Sequence, residues 1–528
     1  MSLLLHQLIE RASQQNPDSV ALHFKSETLS YAQLNQAINQ LANGLLKSGL
    51  ARKERVAVLL PKRFESVIAF FAIAKAGGVF VPLNPLLKPA QITHILNDCN
   101  ARILITAKNR LPALAPELTN CHDLHSLVLL EDDEADIDSG LTCLSWNRLL
   151  SDETQLPTSP SIDMDMAAIL YTSGSTGKPK GVVLSHRNMV SGAHSVAEYL
   201  QNHAEDRLLA VLPFSFDYGF SQLTTAFSVG ASVVLMDYLL PRDVIRAVAK
   251  YRVSGLAAVP PLWNQLSKLP WPEDAQTSLR YITNSGGAMP LQTLADLQAA
   301  LPHTQPYLMY GLTEAFRSTY LPPEQIAHRP ESMGKAIPNA EVMVVREDGS
   351  PCAPGETGEL VHRGSLVAMG YWNDPEKTAE RFRPVPGEDP ALPLSETAVW
   401  SGDQVKMDEE GYLYFVGRKD EMIKTSGYRV SPTEVEEILY RSGLIAEAVA
   451  LGIPHPMLGQ AIVAVISPLD SNKVDVEALR QICVQQLPNF MVPAEFIVQH
   501  DLPRNPNGKI NRRLLTDELA DLFQEPSE

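Results

Sequence analysis

The sequence predicts an α/β fold: a large N-terminal domain with parallel-rich sheets and a β-rich subdomain, followed by a small α/β module at the C-terminal end. Three features of the chain predict it. Segments with helical apolar spacing alternate with short apolar runs of strand length through the N-terminal part, the pattern of parallel sheets covered by helices. Beyond Glu341 the texture changes to short strands between glycine and proline turns, and from about Lys419 helix-like and strand-like segments alternate again. A chain of 528 residues has room for roughly two to four domains and ample core.

Residues 30–45 place Leu34, Ile38, Leu41 and Leu45 on one helical face. Ser30 is positioned to cap that helix, and Gln33, three residues on, to complete a capping box. Residues 55–60 predict a buried strand, 65–75 a helix and 79–82 a strand, and the pattern continues with strands at 103–106 and 127–130. The acidic, polar residues 131–139 predict a solvated loop. A helix is predicted over 186–200, then strands at 208–212, 229–235 and 255–259. In the C-terminal module the predicted elements are helices at 432–440 and 474–487 and strands at 446–451 and 461–467.

The net charge of −17 argues against a nucleic-acid surface and against anchoring to anionic lipid. A cytoplasmic enzyme with a local basic pocket is the class it fits. Cys99, Cys121, Cys143, Cys352 and Cys483 are scattered, with no Cys-x-x-Cys pair, so neither a zinc site nor a disulfide framework is indicated. The first residues lack a basic stretch and a long apolar run, so no signal peptide is expected. The most apolar stretch, 67–83, is broken by Lys75, Gly77, Gly78 and Pro82, which predicts a helix, turn and strand in a core rather than a membrane span.

Chemistry concentrates first in the glycine- and hydroxyl-rich run Thr172, Ser173, Gly174, Ser175, Thr176, Gly177, which leads through Lys178 and Pro179 to Lys180. Between two apolar strands such a loop wraps backbone N–H groups, hydroxyls and a lysine around a polyphosphate. It is not a Walker A loop, because Thr172 stands where that pattern needs glycine and Pro179 where it needs Ser or Thr. Two lysines and a rigid proline argue against a flexible linker. Gly286 and Gly287, after a predicted strand, let a flat ring lie against backbone, or simply make a tight turn. The run Tyr310, Gly311, Leu312, Thr313, Glu314 offers an aromatic face, a glycine turn, a hydroxyl and a carboxylate for a base, a phosphate and Mg²⁺. Asp403, after Ser401 and Gly402, reads as a carboxylate on a glycine turn, suited to a ribose diol but equally an ordinary Asp turn. Residues 417–429 are dense in charge and glycine, and Lys509 follows Gly508 on a turn; alone, each is an ordinary solvated feature.

In order and spacing these segments resemble the adenylate-forming superfamily of acyl-CoA synthetases, luciferases and peptide-synthetase adenylation domains. The resemblance covers nearly the whole chain and also takes in residues 74–83, 358–364, 370–373 and 487–493. It implies an adenylate-forming domain over 1–418 and a mobile C-terminal domain over 419–528. It further implies that residues 172–176 and Lys180 hold the β,γ-phosphates of ATP, and that Tyr310 stacks on adenine near Gly286 and Gly287. Thr313 would meet the α-phosphate, Glu314 would ligate Mg²⁺, and Asp403 and Arg418 would bind the ribose hydroxyls. Lys509 would bridge carboxylate and α-phosphate, Asp420 would be the hinge, and the Gly427 loop would line the pantetheine tunnel for CoA or a phosphopantetheine carrier acting in trans. The implied reaction joins a small-molecule carboxylic acid to AMP with release of pyrophosphate, then transfers the acyl group to a thiol.

The pattern departs at the acid site. Many acyl-CoA synthetases have a histidine where Phe216 stands, and the Asp217 that follows resembles amino-acid-activating domains, where an aspartate holds the substrate ammonium. An aspartate at a helix start is also a common cap. Residues 213–219 with 309–323 resemble the AMP-forming acyl-CoA ligases associated with bacterial exosortase and exopolysaccharide loci. An acyl-CoA or acyl-carrier ligase is therefore the favoured reading, with amino-acid activation second. Lys180, Glu314, Asp403 and Lys509 together argue against a non-catalytic nucleotide-binding protein. A luciferase-like oxygenase has no sequence discriminator.

Overall fold

The computed structural model describes residues 2–131, 140–154, 159–172, 179–389, 391–419, 421–425, 428–455, 458–469, 474–487, 489–506 and 508–524. Most of the predicted acidic loop thus lies outside the described residues. The helix Tyr31–Lys47 starts as its sequence predicts. Ser30 Oγ accepts from the Gln33 N–H (3.3 Å) while Gln33 Oε1 accepts from the Ser30 N–H (2.9 Å). Leu34, Ile38, Leu41 and Leu45 are buried on its inner face.

Two large sheets organise the N-terminal part. The first has seven strands, in the order Thr142–Ser145, Ser126–Leu129, Ala101–Thr106, Arg55–Leu59, Val79–Pro82, Met166–Thr172 and Lys180–Ser185. All its pairs are parallel except the last, in which Thr172 lies opposite Lys180. The second sheet has fourteen strands. Its parallel half runs Gln305–Tyr310, Tyr281–Asn284, Gly255–Ala258, Arg207–Ala210, Ser232–Leu235 and Val20–Phe24. From Thr319–Leu321 and Ser332–Ala336 it continues as antiparallel strands out to Ala340–Val345. The β-rich region predicted beyond Glu341 therefore extends the same sheet, joined through Ser332–Ala336.

Helices Phe64–Lys75 and Asp217–Val229 share a core with both sheets. Phe80, from the first sheet, stacks on Phe220 (5.1 Å between centroids), and Phe70 packs against Phe80, Phe214 and Phe220. Each phenyl so buried contributes about 1.5–3 kcal/mol. This cluster fixes the helix that begins at Asp217. Residues 229–231, predicted as the start of a strand, instead end that helix, because Gly230 adopts φ +77° and caps it.

The C-terminal module has a five-stranded sheet dominated by the long antiparallel pair Ile445–His455 and Gly459–Pro468. Helices Pro432–Arg441 and Val476–Gln486 complete its core with Leu439, Ile462, Leu479 and Cys483. It meets the N-terminal part where Asn84 Nδ2 donates to the Pro506 carbonyl (2.7 Å) and Arg441 pairs with Glu331 (2.7 Å).

Candidate active site

Parallel strands present ligands at their carboxyl ends. Asn284 and Tyr310 end two neighbouring strands there, and residues 211–217 run from the end of Arg207–Ala210 into the helix at Asp217. Among the described residues, those that the sequence singles out lie along this edge or across from it.

On one side Lys180 Nζ lies 3.0 Å from Glu314 Oε1. The Tyr371 hydroxyl is hydrogen-bonded to both, 2.7 Å from Lys180 Nζ and 2.5 Å from Glu314 Oε1. Thr313 and Glu314 sit on a short 3₁₀ turn after Tyr310. Burial raises the Glu314 pKa, but Lys180 and Tyr371 outweigh it and hold the carboxyl below its ordinary range. Tyr371, which pairs with Val182 beside the glycine loop, carries no role in the sequence reading. Its only signal there is the segment 370–373. Ser173, Gly174, Ser175, Thr176 and Gly177 lie outside the described residues.

On the other side the Tyr310 hydroxyl donates to Asp403, whose Oδ1 lies 3.2 Å from Arg418 Nε. Burial raises the Asp403 pKa above its usual value despite Arg418. Asp403 is not on a turn between elements, as its sequence suggests, but inside the strand Thr397–Met407, opposite Arg418. The local kink comes from Gly402 at φ +72° within the strand. Gly286, at φ +80°, leaves room for the Lys509 stem: a Cβ there would stand 3.1 Å from Lys509 Cε. Asn284 Nδ2 donates to the Gly287 carbonyl (3.0 Å) and shapes the same turn.

Between these sides lies the predicted acid site. Lys509 Nζ is 5.7 Å from the Phe216 ring centroid, and burial lowers its pKa, with Asp217 opposing and Arg418 adding to the shift. Asp217 is the first residue of its helix but does not cap it; Phe216 occupies the cap position without a side-chain bond. Instead Asp217 Oδ2 accepts from Arg317 Nη1 (2.9 Å) and Oδ1 from Thr313 Oγ1 (3.3 Å). Asp217 and Arg317 are almost wholly buried. Sequence reasoning missed Arg317, although it lies in the stretch 309–323. A Cβ at Gly311 would stand 3.2 Å from Arg317 Cα, so a side chain there would press on it. Asp420 and Gly427, the predicted hinge and tunnel residues, lie outside the described residues.

Several polar atoms on this edge suit a nucleotide and its metal. Among the described residues Thr172 Oγ1 and Asn284 Oδ1 are buried without a hydrogen-bond partner. No cluster of three or more His, Cys, Asp or Glu forms a metal cage among the described residues. Mg²⁺ needs no such cage, since it takes one or two carboxylates plus phosphate oxygens. A cavity of about 850 Å³, lined in part by Phe24, Lys62, Asp237 and Tyr251, contains none of these residues, so polar chemistry rather than volume marks the site.

The described residues include no helix long and apolar enough to cross a membrane. Residues 9–372 match the AMP-binding enzyme family and residues 434–509 the AMP-binding enzyme C-terminal domain. The chain is 30% identical to an indoleacetate–CoA ligase of Aromatoleum aromaticum, with 96% of each chain covered. It is 31% identical to tyrocidine synthase 1 of Brevibacillus parabrevis, over 97% of this chain but 45% of that protein. It spans 6 to 45% of the length of the peptide synthases it matches. Among solved structures, an anthranilate CoA ligase with anthranoyl-AMP superimposes with a TM-score of 0.88 at 26% identity, covering 99% of this chain and 98% of that one. An O-succinylbenzoate coenzyme A synthetase of Bacillus subtilis in complex with ATP and magnesium does so at 0.81 and 26%, covering 96% and 98%. The relatives named here carry no mark of the exosortase-associated subgroup. With both domains matched and the site residues drawn to one edge of the fold, this chain belongs to the AMP-binding enzyme family.

Proposed function

We propose that this chain is an AMP-forming acid–thiol ligase. The observation that carries the reading is Lys509, delivered by the C-terminal module past Gly286 to Phe216 and Asp217, across from Lys180 and Glu314. In the first half-reaction a carboxylate oxygen of the acid attacks the α-phosphorus of ATP. The bond to the β-phosphate breaks, and pyrophosphate leaves. Lys509 bridges the attacking carboxylate and the α-phosphate, and the Thr313 hydroxyl turns from Asp217 Oδ1 to meet the same phosphate. Lys180 and the glycine loop hold the leaving phosphates, while Asp403 and Arg418 hold the ribose and Tyr310 the adenine. Mg²⁺ on Glu314 would neutralise phosphate charge. Orientation and fixed charge carry this step without a side-chain nucleophile.

In the second half-reaction a thiol sulfur attacks the acyl carbon, its proton passes to solvent, and AMP leaves. The acceptor is CoA or the phosphopantetheine of a carrier protein. We place the hinge at Asp420 and the thiol tunnel at the Gly427 loop, with Lys509 withdrawn for this step. The reading is supported by the similarity to CoA ligases along nearly their full length.

Substrate-dependent ATP–pyrophosphate exchange with fatty, aryl and amino acids in parallel tests it. Exchange with at least one acid class is the expected result; exchange with none overturns the reading. Offering CoA and a phosphopantetheinylated carrier protein afterwards separates the acceptors. Lys509→Ala should lower exchange by about 10²- to 10³-fold while sparing thioester formation from supplied acyl-adenylate.

A further inference from the structure

The cavity of about 850 Å³ lies where the strands Val20–Phe24 and Ser232–Leu235 end beside the helix Pro241–Tyr251, and it holds none of the residues placed in the reaction. Its interior is apolar. Val234, Leu235 and Ala247 line it from buried positions, and Phe24, Met236 and Tyr251 from half-buried ones. Its outer residues are cationic: Lys25, Arg246 and Lys250 line it from exposed positions. The turn that carries Lys25 is tied to the helix, because the Tyr251 hydroxyl donates to the Lys25 carbonyl (2.6 Å).

Charge counting points to the ligand. Arg63 is neutralised by Glu65 (2.6 Å) and Lys62 by Asp237 (2.8 Å), and Arg246 faces Asp243 at 3.5 Å. Lys25 and Lys250 have no carboxylate partner among the described residues; each lies over the neighbouring ring, Phe24 or Tyr251. In a chain of net charge −17, two uncompensated cations around an apolar interior fit an amphipathic anion.

Lys62 joins this cavity to the acid site. Its side chain is 6% exposed, whereas that of Asp237, its counter-ion, is 54% exposed. Burial holds the Lys62 pKa below the ordinary lysine value although Asp237 opposes the shift, so the buried ammonium is incompletely compensated. Lys62 Nζ also donates to the Val211 carbonyl (3.0 Å) and stands 5.9 Å from the Phe214 ring centroid. Residues 211–217 lead from there to Phe216 and Asp217. An anion beside Lys62 draws the ammonium off the Val211 carbonyl and loosens that segment.

We propose that the cavity is an effector site for a small amphipathic anion, an apolar chain or ring bearing one anionic group, which weakens binding of the acid through Lys62 and the Val211 carbonyl. Binding at the cavity is independent of the ligase reading; its effect on the acid rests on that reading.

Octanesulfonate has this chemistry and no carboxylate to activate. It is titrated into the full chain by calorimetry and then added to pyrophosphate exchange. Affinity should rise about two- to fourfold per methylene from butanesulfonate to octanesulfonate. It should fall about tenfold or more in the double variant Lys25→Glu with Lys250→Glu, at two exposed positions. Octanesulfonate should raise KM for the acid about fivefold or more at unchanged kcat. In Lys62→Met it should still bind, and the KM shift should vanish. Absence of binding, or equal affinity in the double variant, overturns the site. Inhibition that survives in the double variant puts the anion in the acid site and overturns it too, and displacement by CoA assigns the cavity to the thiol acceptor with the same result. Binding without a KM shift, or a shift that Lys62→Met retains, overturns the effector role. If no acid supports exchange, the ligase reading falls while the calorimetric comparison still decides the site.

Discussion

Lys509 works only while protonated, and burial holds its pKa below the ordinary lysine value. Its charge is complete at low pH and lost as pH rises through that lowered pKa. Exchange activity should therefore fall on the alkaline side earlier than for an ordinary lysine, and Lys509→Arg should move that limb out of range. Lys509→Ala should cost about 10²- to 10³-fold in exchange kcat, the loss seen when one preorganised charge-stabilising donor is removed. Tyr371 gives a subtler prediction. Its hydroxyl bridges Lys180 and Glu314, so Tyr371→Phe should lower kcat/KM for ATP by about tenfold and raise the Mg²⁺ requirement. An unchanged Mg²⁺ titration would show that the hydroxyl only fills space. These residues differ in legibility. Glu314 stands out in a local pattern and Lys509 only in the order and spacing of the motifs, whereas Tyr371 and Arg317 gain meaning only from partners far along the chain.

The helix Asp217–Val229 shows how an element carries the site. Its first turn packs so closely that a Cβ at Gly219 would lie 2.1 Å from the Pro213 carbonyl oxygen. Gly219→Ala should destabilise the fold by about 1–3 kcal/mol, the range for overpacking, and should displace Asp217. Thermal unfolding with exchange kinetics checks both, and a neutral outcome would mean the segment 211–217 yields freely. Most element types and positions were legible: the capped helix Tyr31–Lys47, the strand–helix–strand run from Arg55 to Pro82 and the helix Pro432–Arg441 match their patterns within a few residues. The misreadings arose where glycine plays two roles. Gly230 ends a helix inside an apolar run that looks like a strand, and Gly402 kinks a strand from within while reading as a turn.

At the scale of the molecule, buried histidines make the fold sensitive to acid. His6, His186 and His362 are buried, and burial lowers their pKa from 6.5 to about 3, 4 and 4 respectively, with Lys75 adding to the shift at His6. The Leu5 N–H donates to His186 Nδ1 (3.2 Å), tying the N-terminal segment to the core, and His362 Nδ1 meets Ser318 Oγ (2.8 Å). A folded pKa below the unfolded one means that the unfolded chain binds more protons between 6.5 and about 4. Stability is complete above that window and falls through it, by roughly 1.4 kcal/mol per pH unit for each histidine. Urea midpoints at pH 7, 6 and 5 should decline, less steeply in His362→Gln; a flat profile would show that the histidines protonate without unfolding.

The sequence by itself determined the α/β class, the family resemblance and most of the chemical inventory, because capping, periodicity and glycine loops are properties of neighbouring residues. The tertiary structure decided how that inventory is paired. Lys180 meets Glu314 across 134 residues, Tyr310 meets Asp403 across 93, and Asp217 meets Arg317 across 100. A buried charge must be neutralised by whatever the fold brings beside it, and no local pattern records that partner. For this reason Asp217, which alone resembles an ammonium anchor, becomes in the folded chain the counter-ion of an arginine.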